Sequence, residues 1–132
     1  MNVNTFMRQH NDIYEVLRNI EKLIAAGDVT ANYSEIARNI STLAGKLQIH
    51  LSSEDKYLYP ALLKDEKFKD TAEHYIKDMG GILSEFTEFK NKYNTKSRIE
   101  ANEAGLVRDT KAIVTAIETR MRKEESGIYK LI

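Results

Sequence analysis

Apolar residues in the first quarter of the chain recur at a helical interval. Phe6, His10, Ile13, Leu17, Ile20 and Ile24 are spaced four, three, four, three and four residues apart. That spacing places all six on one face of an α-helix. The same rhythm continues to the C-terminus, and the 132 residues hold a single proline, Pro60, and six glycines. So little turn punctuation argues against a β fold and for long helices. The first helix is expected over residues 4–26, stopped by Gly27 and Asp28. A second starts near Asn32, with Glu35 as its capping-box partner. Its stripe is Ile36, Ile40, Leu43, Leu47, His50, Glu54, Tyr57 and Ala61, and Pro60 ends or kinks it. A third begins between residues 65 and 70, where Asp70 and Glu73 form a second N-terminal pair. It carries Tyr75, Met79, Ile82, Phe86, Phe89 and Tyr93, with Gly80–Gly81 as a weak point. A fourth starts at Ser97 and presents Leu106, Thr110, Ile113, Ile117, Met121, Ile128 and Leu131. Four helices joined by short connections predict an all-α, up-down-up-down antiparallel four-helix bundle, as a single domain over residues 1–132.

Composition narrows the function. Twenty basic residues balance twenty acidic ones, so nothing pulls the whole chain toward nucleic acid or an anionic membrane. With no cysteine, disulfides, thiolate-bound zinc, Cys-ligated iron–sulfur clusters and cysteine nucleophiles are excluded. No segment approaches the ~20 apolar residues of a membrane span, and residues 1–7 lack the pattern of a secretory signal. The expectation is a cytoplasmic protein, monomeric or weakly self-associating, with no nucleic-acid or membrane partner. There is no Ser-His-Asp arrangement and no Gly-rich phosphate loop, so a binding protein is expected rather than an enzyme.

Polar residues interrupt the stripes. His10 sits on the apolar face of the first helix, and His50 and Glu54 sit on that of the second. A buried carboxylate is costly unless it is paired, hydrogen-bonded or bound to a metal. His50 and Glu54 are four residues apart, which stacks them on one face within reach of a common ion. Mixed nitrogen and oxygen donors suit iron, manganese or zinc. His74 lies a quarter-turn off the stripe of the third helix, with Asp78 four residues on. Glu124 aligns with the stripe of the fourth. A lone histidine on an apolar face is most often a hydrogen-bonded core residue, and one His-x-x-x-Glu is weak. Here every histidine of the chain, on three different helices, accompanies two inward carboxylates.

These residues carry a family resemblance. Gln9-His10-Asn11-Asp12, His50-Leu-Ser-Ser-Glu54-Asp-Lys-Tyr-Leu-Tyr-Pro60, Glu73-His74 and Lys123-Glu124-Glu125 are similar to the motifs of hemerythrin-like, HHE-type cation-binding domains. The resemblance spans almost the whole chain and is most specific in the second block. It implies a four-helix bundle with a non-haem di-iron centre of two irons per chain. It also implies His10, His50 and His74 as terminal ligands and Glu54 and Glu124 as bridges. The implied activity is reversible binding of a small diatomic, O2 or NO, for storage, delivery or sensing.

The chain departs from the pattern at one position. The family's last motif is also His-x-x-x-Glu, but the residue four before Glu124 is Arg120. Arginine stays protonated and is not a normal ligand. Three outcomes are open: Asp78 supplies the missing donor; the second metal is weak or absent, leaving one iron or none; or Arg120 replaces the cation by pairing with Glu124 and Glu54. The last outcome belongs to a different function, a metal-free interaction or regulatory bundle. A repair enzyme for iron centres ranks third, because those relatives add a Cys-bearing segment.

Overall fold

The computed structural model describes residues 3–26 and 28–132, with the side chain of Met79 outside that description. All its regular structure is helical. Seven α segments run in order: α1 (Val3–Ala25), α2 (Tyr33–Ser53), α3 (Tyr59–Leu63), α4 (Lys69–Met79), α5 (Ile82–Tyr93), α6 (Lys96–Ala101) and α7 (Glu103–Ser126). A π-helical turn, Glu54–Leu58, joins α2 to α3, and a 3-10 turn, Ile128–Leu131, follows α7. The four long segments touch in a closed ring: α1 packs on α2, α2 on α5, α5 on α7 and α7 on α1.

The π turn follows from Pro60. Proline has no N–H and its ring crowds the carbonyl one turn back. The helix answers by widening, and the Tyr59 N–H bonds Glu54 O, five residues earlier. The turn therefore holds one residue more than an α-helical turn, and the buried face rotates by one position. Leu58 and Leu62 are buried where the spacing predicts Tyr57 and Ala61, and Tyr57 is left 58% exposed. Glu54, where the turn begins, keeps its inward place.

The remaining differences are at helix ends. Asn32 does not cap α2 through its side chain; its amide donates to Leu23 O. No side chain caps α4, so the Asp70–Glu73 pair does not form there. The expected third helix is two segments, α4 and α5, parted at Gly80–Gly81. The expected fourth is also two, each with a side-chain cap: Thr95 Oγ1 accepts from Arg98 N, and Asn102 Oδ1 from Gly105 N. The stop at Gly27 falls outside the described residues.

Apolar burial forms two clusters. The larger is built around Ile13, Leu17, Ile36, Ile40, Leu43, Phe86, Tyr93, Leu106 and Ile117. The smaller contains Phe6, Leu58, Tyr59, Leu62, Ala72, Ile128 and Tyr129. Fully burying each Leu, Ile or Phe among them contributes about 1.5–3 kcal/mol. Along α1 the chain passes from Phe6 in the small cluster to Ile13 in the large one, and His10 lies between them. Along α2 and the π turn, His50 and Glu54 fall between Leu47 and Leu58; in α7, Glu124 falls between Met121 and Ile128. The polar residues thus form one layer between two apolar ones.

Candidate metal centre

His10, His50, Glu54 and Glu124 are all buried, at 0, 1, 1 and 4% exposure. Each offers one ligand atom, and the four atoms lie within 4.8 Å of one another. His10 Nε2 is 3.0 Å from His50 Nε2 and 3.1 Å from Glu124 Oε1. His50 Nε2 is 3.3 Å from Glu54 Oε1 and 3.7 Å from Glu124 Oε1. Donors about 2.1 Å from a shared cation stand about 3.0–3.5 Å apart along the edges of its polyhedron. Three of these four separations fall on that scale, and the fourth, His50 to Glu124, is slightly longer.

The outer nitrogens fix the tautomers. His10 Nδ1 donates to Glu125 Oε2 at 2.7 Å, and Glu125 also accepts from the Tyr14 hydroxyl at 2.9 Å. Burial, followed by that bond to Glu125, pushes the Tyr14 hydroxyl up to about 12. His50 Nδ1 donates to Gln9 Oε1 at 2.8 Å, while Gln9 Nε2 is turned to Ser53 Oγ. A neutral imidazole with its proton on Nδ1 presents a bare lone pair at Nε2. Both lone pairs therefore face each other across 3.0 Å. This outer support is characteristic of metal-ligating histidines.

Donors to the centre are few. Tyr129 donates to Glu54 Oε2 at 2.6 Å, and Tyr59 to Glu124 Oε2 at 3.2 Å. Two imidazole nitrogens and two carboxyl groups thus meet two hydroxyl protons. A cation relieves that surplus of acceptors, and so do added protons. In the metal-free chain the two carboxyl groups divide the task. Burial, then the bond and charge of Glu124, pushes Glu54 up to about 10, so it keeps its proton. Burial also opposes charge on Glu124, but the hydrogen bond it receives from the Glu54 carboxyl helps to hold Glu124 down at about 2. Burial lowers His50, which favours its neutral, ligating form. Burial, reinforced by the two carboxylates, raises the Tyr59 and Tyr129 hydroxyls well above the usual phenol. The donor set fits a divalent or trivalent metal with mixed nitrogen and oxygen preference.

Three expected residues stand elsewhere. His74 is exposed, its side chain 71% accessible, and it pairs with Asp78 at 3.1 Å on the surface of α4. The cause is how α4 seats itself. It buries Ala72, and Tyr75 reaches across to Lys123 O at 3.1 Å, which turns the neighbouring position outward. Arg120 does not meet Glu54 or Glu124, contrary to the internal counter-ion expectation. Its guanidinium donates to Asp78 O and lies 4.0 Å from Glu85. Met121 and Glu124 take the inward positions of α7, and Arg120 falls beside them. Arg120→Met is accordingly expected to cost less than about 1 kcal/mol in chemical denaturation; a loss of several kcal/mol would return the side chain to the core.

Spacing did not reveal the roles of Gln9, Glu125, Tyr59 and Tyr129. Gln9 and Glu125 adjoin ligand candidates in sequence, which is the one signal available, and Tyr59 precedes Pro60. Glu125→Ala is expected to weaken metal binding 10–100-fold, the usual effect of losing such an orienting partner, as read by competition with a chelator.

A family model of the hemerythrin HHE cation-binding domain matches residues 1–132. The chain belongs to that family. No curated protein and no solved structure matches it. No helix among the described residues is long and apolar enough to cross a membrane.

Proposed function

We propose that this protein holds one non-haem iron at His10, His50, Glu54 and Glu124, and there takes up a small diatomic, O2 or NO, reversibly. The observation that carries the reading is the pair of imidazole lone pairs set 3.0 Å apart among two buried carboxyl groups. Such an arrangement is unfavourable in a dry core without a cation. Two imidazoles with carboxylate oxygens are a donor class that suits iron. When bound, iron supplies a redox-active Lewis acid with positions left for a ligand. Glu125 and Gln9 hold the two imidazoles in register, Tyr59 fixes the outer oxygen of Glu124, and the flanking apolar layers exclude water.

One iron rather than two is supported by the exposure of His74 and Asp78 and by the outward course of Arg120. Access is supported by a cleft of about 260 Å3 that reaches Glu54 and Tyr59 from the surface, between Leu51, Asp55, Ile76 and the Gly80 bend. We further propose that the chain is one domain with the up-down-up-down order of a four-helix bundle, as the ring of helix contacts supports.

The test is iron content with visible spectra under argon, air and NO, on protein grown with iron. About one iron per chain and a spectrum that changes reversibly with one of the gases are expected. Folded, colourless protein without metal would overturn the reading and leave an interaction bundle. His74→Ala is expected to keep its iron; halved content would restore a two-metal centre.

A further inference from the structure

One buried polar group at the centre has no role in the reading above. Tyr129 is 3% exposed, and its hydroxyl touches three of the candidate ligand residues. It lies 2.6 Å from Glu54 Oε2, 3.0 Å from His10 Nε2 and 3.4 Å from His50 Nε2. We propose that Tyr129 Oη is a fifth protein ligand, so that the centre is a metal phenolate. The proposal rests on the metal-binding reading and deepens it.

The first support is position. The two distances to the imidazole nitrogens match the edges that link donors around one cation. The other nearby tyrosines lack that placement. Tyr59 reaches the outer oxygen of Glu124, and Tyr14 reaches Glu125 behind His10.

The second support is delivery. Tyr129 is five residues beyond Glu124, off the inward face of a continuing α-helix. It enters the layer because α7 stops at Gly127 and the chain tightens into the 3-10 turn Ile128–Leu131. A side chain at position 127 would run into the Tyr75 hydroxyl and lie 3.0 Å from Lys123 O. The Tyr129 ring is then held by stacking on Phe6, with centroids 5.7 Å apart, and by His10 at 5.1 Å. Its aim is set by packing from both sides.

The third support is charge. Ligation replaces both the phenolic proton of Tyr129 and the carboxyl proton of Glu54 with the cation, and the two protons leave to solvent. Two carboxylates and one phenolate then carry three negative charges against two neutral imidazoles. A trivalent ion makes that buried layer neutral, whereas the carboxylates alone would leave it with an uncompensated positive charge, which is costly in an apolar setting. The five donors therefore favour a trivalent over a divalent ion.

The experiment loads metal-free protein with ferric citrate, then measures iron content, visible absorption and resonance Raman scattering. Wild type is expected to show a phenolate-to-iron charge-transfer band with the ring modes of a metal-bound tyrosinate. Tyr129→Phe should lose the band and bind iron at least about 100-fold more weakly, beyond the range for loss of an orienting partner, while Tyr59→Phe keeps the band. Iron-loaded wild type without the band, or a band that survives in Tyr129→Phe, overturns the phenolate ligand and leaves the metal-binding reading standing. Folded wild type that takes up no iron overturns both. Gallium(III) titration of wild type provides a test without a variant: uptake must bring a near-ultraviolet tyrosinate difference signal, and uptake without it refutes the proposal.

Discussion

His50→Ala is expected to lose metal by at least about 100-fold in affinity, beyond the range seen when only an orienting partner is removed. The imidazole supplies one of four convergent donor atoms, and helix α2 allows no neighbouring side chain to replace it. Leu47 and Leu51, one turn back and one residue on, are apolar. The fold should persist, because the substitution also removes one of two opposed lone pairs from the metal-free core. Helical circular dichroism with trace metal content after gel filtration is the expected result. Full metal content in this variant would remove His50 from the ligand set.

Metal-free protein is expected to lose stability as pH rises from 7 to 9, at up to about 1.4 kcal/mol per pH unit. The cause is Glu54, whose carboxyl is pushed up to about 10 by burial and by Glu124. Between its ordinary value near 4.5 and that raised value, the folded chain holds a proton that the unfolded chain has released. Stability from this group is therefore complete below the ordinary value and declines as pH climbs toward the raised one. Other shifted groups at the centre act outside this window. Glu124 is held at about 2, and His50 is lowered from 6.5. Urea denaturation at several pH values measures the slope. Glu54→Gln should flatten it in metal-free protein. Metal loading should flatten it too, since the cation takes the place of the proton. An equal slope in Glu54→Gln would assign the proton to another group.

Much of the architecture was legible from spacing alone. Phe6, His10, Ile13, Leu17 and Ile20 are buried on α1 as their interval predicts, and Ile36, Ile40, Leu43, Leu47 and His50 on α2. The stripe failed where the helix ceased to be α. Past Glu54, Pro60 forces a π turn, and the inward positions pass from Tyr57 and Ala61 to Leu58 and Leu62. Proline predicts a disturbance, but not whether a helix breaks, kinks or widens; that depends on what the next turn buries, here Leu58, Tyr59 and Leu62. In the third helix, the bend at Gly80–Gly81 separates a well-predicted segment, α5, from α4, whose inward face is set by Ala72 and by Tyr75 against α7.

The candidate centre divides along the same line. His10, His50, Glu54 and Glu124 could be selected from sequence because each lies on an apolar stripe, and helical periodicity is a local property of the backbone. Their outer partners could not be selected this way. Glu125 meets His10 across 115 positions, and Tyr129 meets Glu54 across 75; those contacts exist only once α1, the π turn and the end of α7 share one layer. The same packing sends His74 and Arg120 to the surface although motif and charge had drawn both toward the centre. Burial within a helix follows from its own residues, whereas convergence of side chains from different helices follows from how those helices seat against each other.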